Sequence, residues 1–235
     1  MSTIILFLVV LAVIVGWWLS KQRLMAKPWL EAGPVDNYPG TDAMTWPAAK
    51  IGLGVFLVVA STLFTLFISA YSMRMSMVDW RALPIPRLLW FNTGVLVLSS
   101  ATLQWAHMAA RRNDTEGVVV GLLAGSASAV TFLVGQLLVW QQLRAAGYFV
   151  ASNPANSFFY LLTAIHGLHL MGGLAVLGRT TTKVWQHGVA TAEMRLSVEL
   201  CTIYWHFLLL VWLLLFGLLT GGTDRFVDIC RQLLS

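Results

Sequence analysis

Charge is what this sequence has least of: only 11% of its 235 residues are Asp, Glu, Lys or Arg, where a soluble globular domain carries about 25%. A water-soluble domain is thereby excluded. Cysteine is nearly absent, with Cys201 and Cys230 the two examples. They form no CxxC pair, so nothing points to a cysteine metal site. Acidic residues number 10 against 15 basic ones. The basic residues flank apolar stretches, which suits membrane anchoring rather than nucleic-acid binding. Missing too are a phosphate-cradling Gly loop, HExxH and a Ser/His/Asp set at motif spacing. No residue of this chain is therefore assigned a catalytic role.

What is present is long apolar sequence. Residues 1–20, 51–73, 88–110, 117–143, 145–178 and 200–223 contain no Asp, Glu, Lys or Arg and together make up 151 of the 235 residues. Each meets the need for about 20 apolar residues to cross a hydrocarbon core of about 30 Å. The expected fold is all-α, a polytopic transmembrane helical bundle of six helices. Its first run ends in Trp17-Trp18, and Lys21, Arg23 and Lys27 follow it rather than precede it. That order predicts a retained anchor over 1–20 instead of a cleaved signal peptide. An extramembrane loop is expected over 21–49, punctuated by Pro28, Pro34, Pro39 and Pro47. A five-helix bundle follows over 50–222 and a tail over 223–235. Within the bundle Gly121 and Gly125, extended by Ser126, Ser128 and Gly135, form a small-residue face suited to close helix contact.

Six spans divide the cations between two sides. Lys21, Arg23, Lys27, Lys50, Arg111, Arg112, Arg179, Lys183 and Arg195 fall on one, and Arg74, Arg81, Arg87, Arg144, Arg225 and Arg231 on the other. The positive-inside rule places the first set in the cytoplasm and both termini outside. Arg87, Arg111 and Arg112, next to span ends, are candidates for holding lipid phosphates, although topology signalling alone also accounts for them.

Ionisable groups at membrane depth are costly and mark functional candidates. The spans carry Gln104, His107, Gln136, Gln141, Gln142, His166, His169, Glu199 and His206. His166 and His169 lie three apart, Glu199 and His206 seven apart, so each pair shares a helical face. With about 1.5 Å of rise per residue, His169 and His206 lie at similar depth, where the two could meet, while Glu199 lies near the headgroups. One reading is a metal or haem site using His166, His169 and His206. The other is that each histidine makes interhelical hydrogen bonds, and this one is favoured.

The last two spans contain Phe158-Phe159-Tyr160-Leu161-Leu162-Thr163-Ala164-Ile165-His166-Gly167-Leu168-His169-Leu170-Met171-Gly172-Gly173, then Val198-Glu199-Leu200 and Tyr204-Trp205-His206-Phe207 with Val211-Trp212. Upstream stand Lys50-Ile51-Gly52, Asn92-Thr93, Thr102-Leu103-Gln104-Trp105-Ala106 and Gly135-Gln136. Over about residues 50–220 this resembles subunit III of haem-copper terminal oxidases, the cytochrome c oxidase subunit III family. The resemblance implies a non-catalytic subunit that binds no redox centre, with haem and copper in the partner catalytic subunit. It further implies packing against subunit I, with subunit II in the same complex, phospholipids held in a cleft, and support of stability and proton uptake in subunit I. His166, His169, Glu199 and His206 become structural or lipid-contact residues, with Trp105, Trp205 and Trp212 as packing or interfacial aromatics. A bacterial inner membrane is the implied setting. A subunit of a quinol oxidase or nitric oxide reductase stays open, as does the free-standing haem or metal protein. Thr62 and Leu209 depart from the family, standing where it commonly carries Glu and Asp. Neither side chain titrates near neutral pH.

Overall fold

The computed structural model describes residues 48–188 and 191–220, and the expected first helix, loop and C-terminal tail lie outside them. Five α-helices make up the described chain: α1 (Ala48–Met75), α2 (Leu88–Arg111), α3 (Thr115–Ala145), α4 (Pro154–His187) and α5 (Ala192–Leu219). A single 3₁₀ turn at Val150–Ser152 precedes α4. The shortest helix has 24 residues and the longest 34, about 36 and 51 Å at 1.5 Å per residue. α1, α3, α4 and α5 are long and apolar enough to cross a membrane. α2 is long enough but carries Asn92, Thr93, Ser99, Ser100, Gln104 and His107, which dilute its hydropathy. Of the six expected spans, five correspond to helices here and four meet both criteria among the described residues.

Local chemistry sets the helix ends. The Asp114 carboxylate caps α3 by accepting from Gly117 N at 3.0 Å, and the Asn153 carbonyl oxygen caps α4 from Ala155 N with Pro154 in the first turn. Thr191 caps α5 through Met194 N. Each satisfies a first-turn N–H that has no intrahelical partner. Asn113, at φ 59°, turns the chain between α2 and α3 in the left-handed region that Asn tolerates. Helices run beyond the charge-free stretches, α4 through Arg179 and Lys183 and α5 starting before Arg195. Lack of charge marks the part suited to hydrocarbon, not the helix itself.

Contacts between distant residues give an alternating up-and-down order. Ser99 pairs with Gly125 and Asn92 with Phe132, so α2 and α3 are antiparallel; α3 and α4 are joined the same way by Trp140 and Thr163. α5 closes the ring against both α4 and α2. Its main core joins Leu96, Leu103, Leu122, Phe132, Leu170, Trp205 and Trp212. α1 leans on α4 and α5 from outside, through a second cluster that includes Phe64, Tyr71, Leu162 and Leu215.

The expected small-residue face is partly present. A Cβ at Gly121 would stand 2.7 Å from Ala106 Cβ, and one at Gly125 2.8 Å from Leu103 Cγ, so both glycines set how closely α3 approaches α2. Gly135 faces Asn92 in the same way. Ser126 and Ser128 donate their hydroxyls to carbonyls of their own helix, Leu122 and Ala124.

Candidate functional site

Of the four histidines in the spans, His166, His169 and His206 are directed at three different neighbours. His166 is fully buried, with Nε2 3.1 Å from the Leu208 carbonyl of α5. Its ring is edge-on to Phe132 and tilted over Trp212, with centroids 5.8 and 5.0 Å away. His169 bonds through Nδ1 to Ile165 O in its own helix at 2.8 Å and faces Phe56 and Phe64 of α1. His206 turns to α2, with Nδ1 2.6 Å from Ser100 Oγ and Nε2 3.1 Å from Gln104 Oε1. His169 and His206, which their similar depth would let meet, point instead to α1 and α2. Three residues span about 300° of a helical turn, so His166 and His169 diverge by about 60° and reach different neighbours. No group of three or more His, Cys, Asp and Glu able to hold a metal ion occurs among the described residues. The three-histidine ligand set lacks the convergence that ligation requires.

Glu199 pairs with Lys50 Nζ at 2.6 Å, tying the first turn of α1 to α5, with both side chains about one-third exposed. The tryptophans divide by environment. Trp205 and Trp212 are fully buried and donate to Ser99 Oγ at 2.8 Å and Thr93 Oγ1 at 3.0 Å, whereas Trp105 is 46% exposed. Ser99 in turn donates to Gly125 O, so one hydroxyl links α5, α2 and α3. Arg87, Arg111 and Arg112 are all exposed at the ends of α2. Thr62 is exposed and bonded to Val59 O of its own turn, and Leu209 packs at the edge of the main core.

A cleft of about 770 Å³ lies between α1, α4 and α5. Leu53, Phe56, Leu168, Val176 and Leu200 supply apolar wall, with His169 and Tyr204 alongside; Arg179, Lys183, Thr182 and Ser197 line the end nearest the Lys50–Glu199 pair. The Tyr204 hydroxyl donates to His169 O at 3.0 Å across the cleft wall. Gly173 is where α4 meets α5, since a Cβ there would stand 2.7 Å from the Tyr204 ring; Gly172 has open space. An apolar trough ending in two cations suits an amphiphile with an anionic head. Sequence reasoning missed this end of the cleft. Arg179 and Lys183 are four apart, the spacing that puts two side chains on one helical face, and that was its available signal.

Comparison with known proteins gives the same answer across most of the chain. A family model described as cytochrome c oxidase subunit III matches residues 37–220. Cytochrome c oxidase subunit 3 of Thermostichus vulcanus is 29% identical over 176 residues, covering 72% of this chain and 85% of that protein. The protein of that name from Synechocystis sp. is 31% identical over 170 residues, 70% of this chain and 72% of its own length. A probable cytochrome c oxidase subunit 3 from Mycobacterium leprae is 37% identical over 132 residues, 53% and 61% of the two chains.

Proposed function

Because this chain belongs to the cytochrome c oxidase subunit III family, we propose that it is the non-catalytic subunit III of a bacterial respiratory haem-copper oxidase. It lies in the inner membrane against subunit I, in a complex that includes subunit II. The family match over residues 37–220 is the observation that carries this. α1 to α5 all cross the bilayer in this reading, and residues 1–20 add a sixth span ahead of the loop 21–49. The ends of the helices bearing Lys50, Arg111, Arg112, Arg179, Lys183 and Arg195 face the cytoplasm, in line with the positive-inside rule.

In this role the chain binds phospholipid in the α1–α4–α5 cleft. Hydrocarbon meets the apolar wall, and a phosphate meets Arg179 and Lys183. Arg87, Arg111 and Arg112 offer further phosphate contacts at the rim, and Trp105 an aromatic surface for the bilayer or a partner. His166 and His206 hold helices together by hydrogen bonds and Glu199 by an ion pair, while His169 packs its ring against Phe56 and Phe64 of α1. Support of proton uptake in subunit I is indirect, because Thr62 and Leu209 give this chain no acid at the positions where the family commonly has one.

Purification of the intact complex in mild detergent tests the assignment. The expected result is co-purification with a large haem-bearing protein identified by mass spectrometry, and a visible spectrum confined to that partner. The identity of the partner then separates a cytochrome c oxidase from a quinol oxidase or nitric oxide reductase. A haem band on the isolated chain, with no such partner, would overturn the proposal.

A further inference from the structure

The hydrogen bonds around His206 leave one polar group unaccounted for. Gln104 Oε1 can only accept, so His206 Nε2 carries the proton and Nδ1 accepts from the Ser100 hydroxyl. That arrangement satisfies the imidazole completely. It leaves the two N–H groups of the Gln104 amide, which make no hydrogen bond among the described residues. His206 lies on the exposed surface of the bundle. Seven residues separate Gln104 from Arg111 and His206 from Glu199, so the pair lies about 10 Å inside the level those charged residues mark. Lipid headgroups do not reach that depth, and acyl chains offer no acceptor, so an unpaired amide there is costly.

A second observation comes from α2 as a whole. It is the one helix of the five that is long enough to span the membrane without being apolar enough. Its polar residues lie only partly inside the bundle: Asn92, Ser99 and Ser100 are buried against α3 and α5, whereas Gln104 and His107 sit on its α5 side near the surface. His107, three residues beyond Gln104, keeps a buried Nδ1 without a partner. A helix of this composition is stable in a bilayer when protein covers its polar row.

We infer that the seam of α2 and α5 around Gln104, Ser100 and His206 is the docking face for a transmembrane helix of another oxidase subunit, one presenting an oxygen acceptor to the Gln104 amide. The inference rests on the family reading and specifies the face that reading uses. Ile203 and Met108, 41% and 43% exposed beside the polar row, form the apolar border of this face. The covering helix's acceptor is a Ser or Thr hydroxyl, a carboxylate, or a side-chain or main-chain carbonyl, the last accepting through its second lone pair as Gly125 O does from Ser99.

The test uses the intact complex in its native membrane, with a photoreactive benzophenone side chain placed at Ile203 or at Met108. Cross-links from both positions to a different subunit are expected. Cross-links only to lipid, to residues 1–47 of the same chain, or to a second copy would overturn the inference while leaving co-purification with the haem protein intact. Failure of the chain to co-purify at all would instead sink the family reading, and the inference with it. A second measurement does not depend on the probe. Gln104→Leu should lower the fraction of this chain retained in the complex through a detergent wash by about threefold to tenfold, the range of an interhelical hydrogen bond in a bilayer. Thr131→Leu, which removes an exposed hydroxyl bonded only within α3, should leave retention unchanged. Equal retention of all three proteins would count against the docking face.

Discussion

A few polar side chains join helices that lipid alone would not hold together, among them Ser99, Trp205, Trp212 and His166. The Lys50–Glu199 pair does so at the rim of the cleft. Removing either partner leaves a charge facing a partly desolvated neighbour, so Lys50→Met and Glu199→Gln should each shift the unfolding midpoint in sodium dodecyl sulfate to lower detergent. The double variant should recover part of that loss, with a coupling of about 1 kcal/mol for a pair at this exposure. Additive losses would show that the pair contributes no mutual attraction. His166 gives a deeper case. His166→Leu removes its bond to the Leu208 carbonyl and should cost about 1 kcal/mol in the same titration, within the range measured for interhelical bonds in membranes. The visible spectrum of the purified complex should not change, whereas a metal-ligand role predicts loss of a band. That His166 matters was legible from its place in a span. Which helix it serves was not, since a ring's direction depends on where the neighbouring helices lie.

At the scale of the helix, neighbouring glycines make opposite predictions. Gly172 has nothing within 4 Å of an added Cβ, while Gly173 meets Tyr204 and Trp205. Gly172→Ala should be neutral or slightly stabilising, because Ala is the better helix former. Gly173→Ala should destabilise by about 1–3 kcal/mol through overpacking against two rings. Unfolding titrations of the two variants side by side decide the point, and equal effects would contradict the α4–α5 contact described above. Gly121→Val should likewise drive α3 from α2, by an amount at the upper end of that range, since it opposes the Ala106 backbone as well as its methyl. The existence of these helices followed from uncharged runs, and the close-packing value of Gly121 and Gly125 from their spacing. The separation of Gly172 from Gly173 did not follow, because adjacent residues on a helix point about 100° apart and only the partner's position says which of them is crowded.

For the molecule as a whole, the cleft and the orientation are the properties to measure. Replacing Arg179 and Lys183 together by Gln removes the two cations lining the charged end of the cleft. Mass analysis of the purified complex should then show fewer anionic phospholipids with the protein–protein composition unchanged, each cation contributing about 1 kcal/mol toward an anionic surface. An unchanged lipid count would show that the apolar walls alone retain the lipid. Orientation is checked by cysteine labelling from outside intact cells: a cysteine in place of Arg144 should react with an impermeant maleimide, and one in place of Arg112 should not. Both residues are exposed, and they stand at opposite ends of the alternating bundle. The reverse pattern would invert the topology.

The sequence by itself determined that the chain is helical, that its apolar runs belong in a membrane, and which family it resembles. These follow from local quantities, namely charge spacing, run length and short motifs, which act through the solvent and need no knowledge of neighbours. Tertiary structure decided the rest. It sent His169 toward α1 and His206 toward α2 instead of toward each other. It also paired Glu199 with a lysine 149 residues away and gathered Arg179 and Lys183 at the end of a cleft. It left the Gln104 amide facing outward. The physical reason is common to all four. A helix presents side chains in every direction, and the order in which helices surround one another determines which of those directions meets a partner, a cavity or the surface.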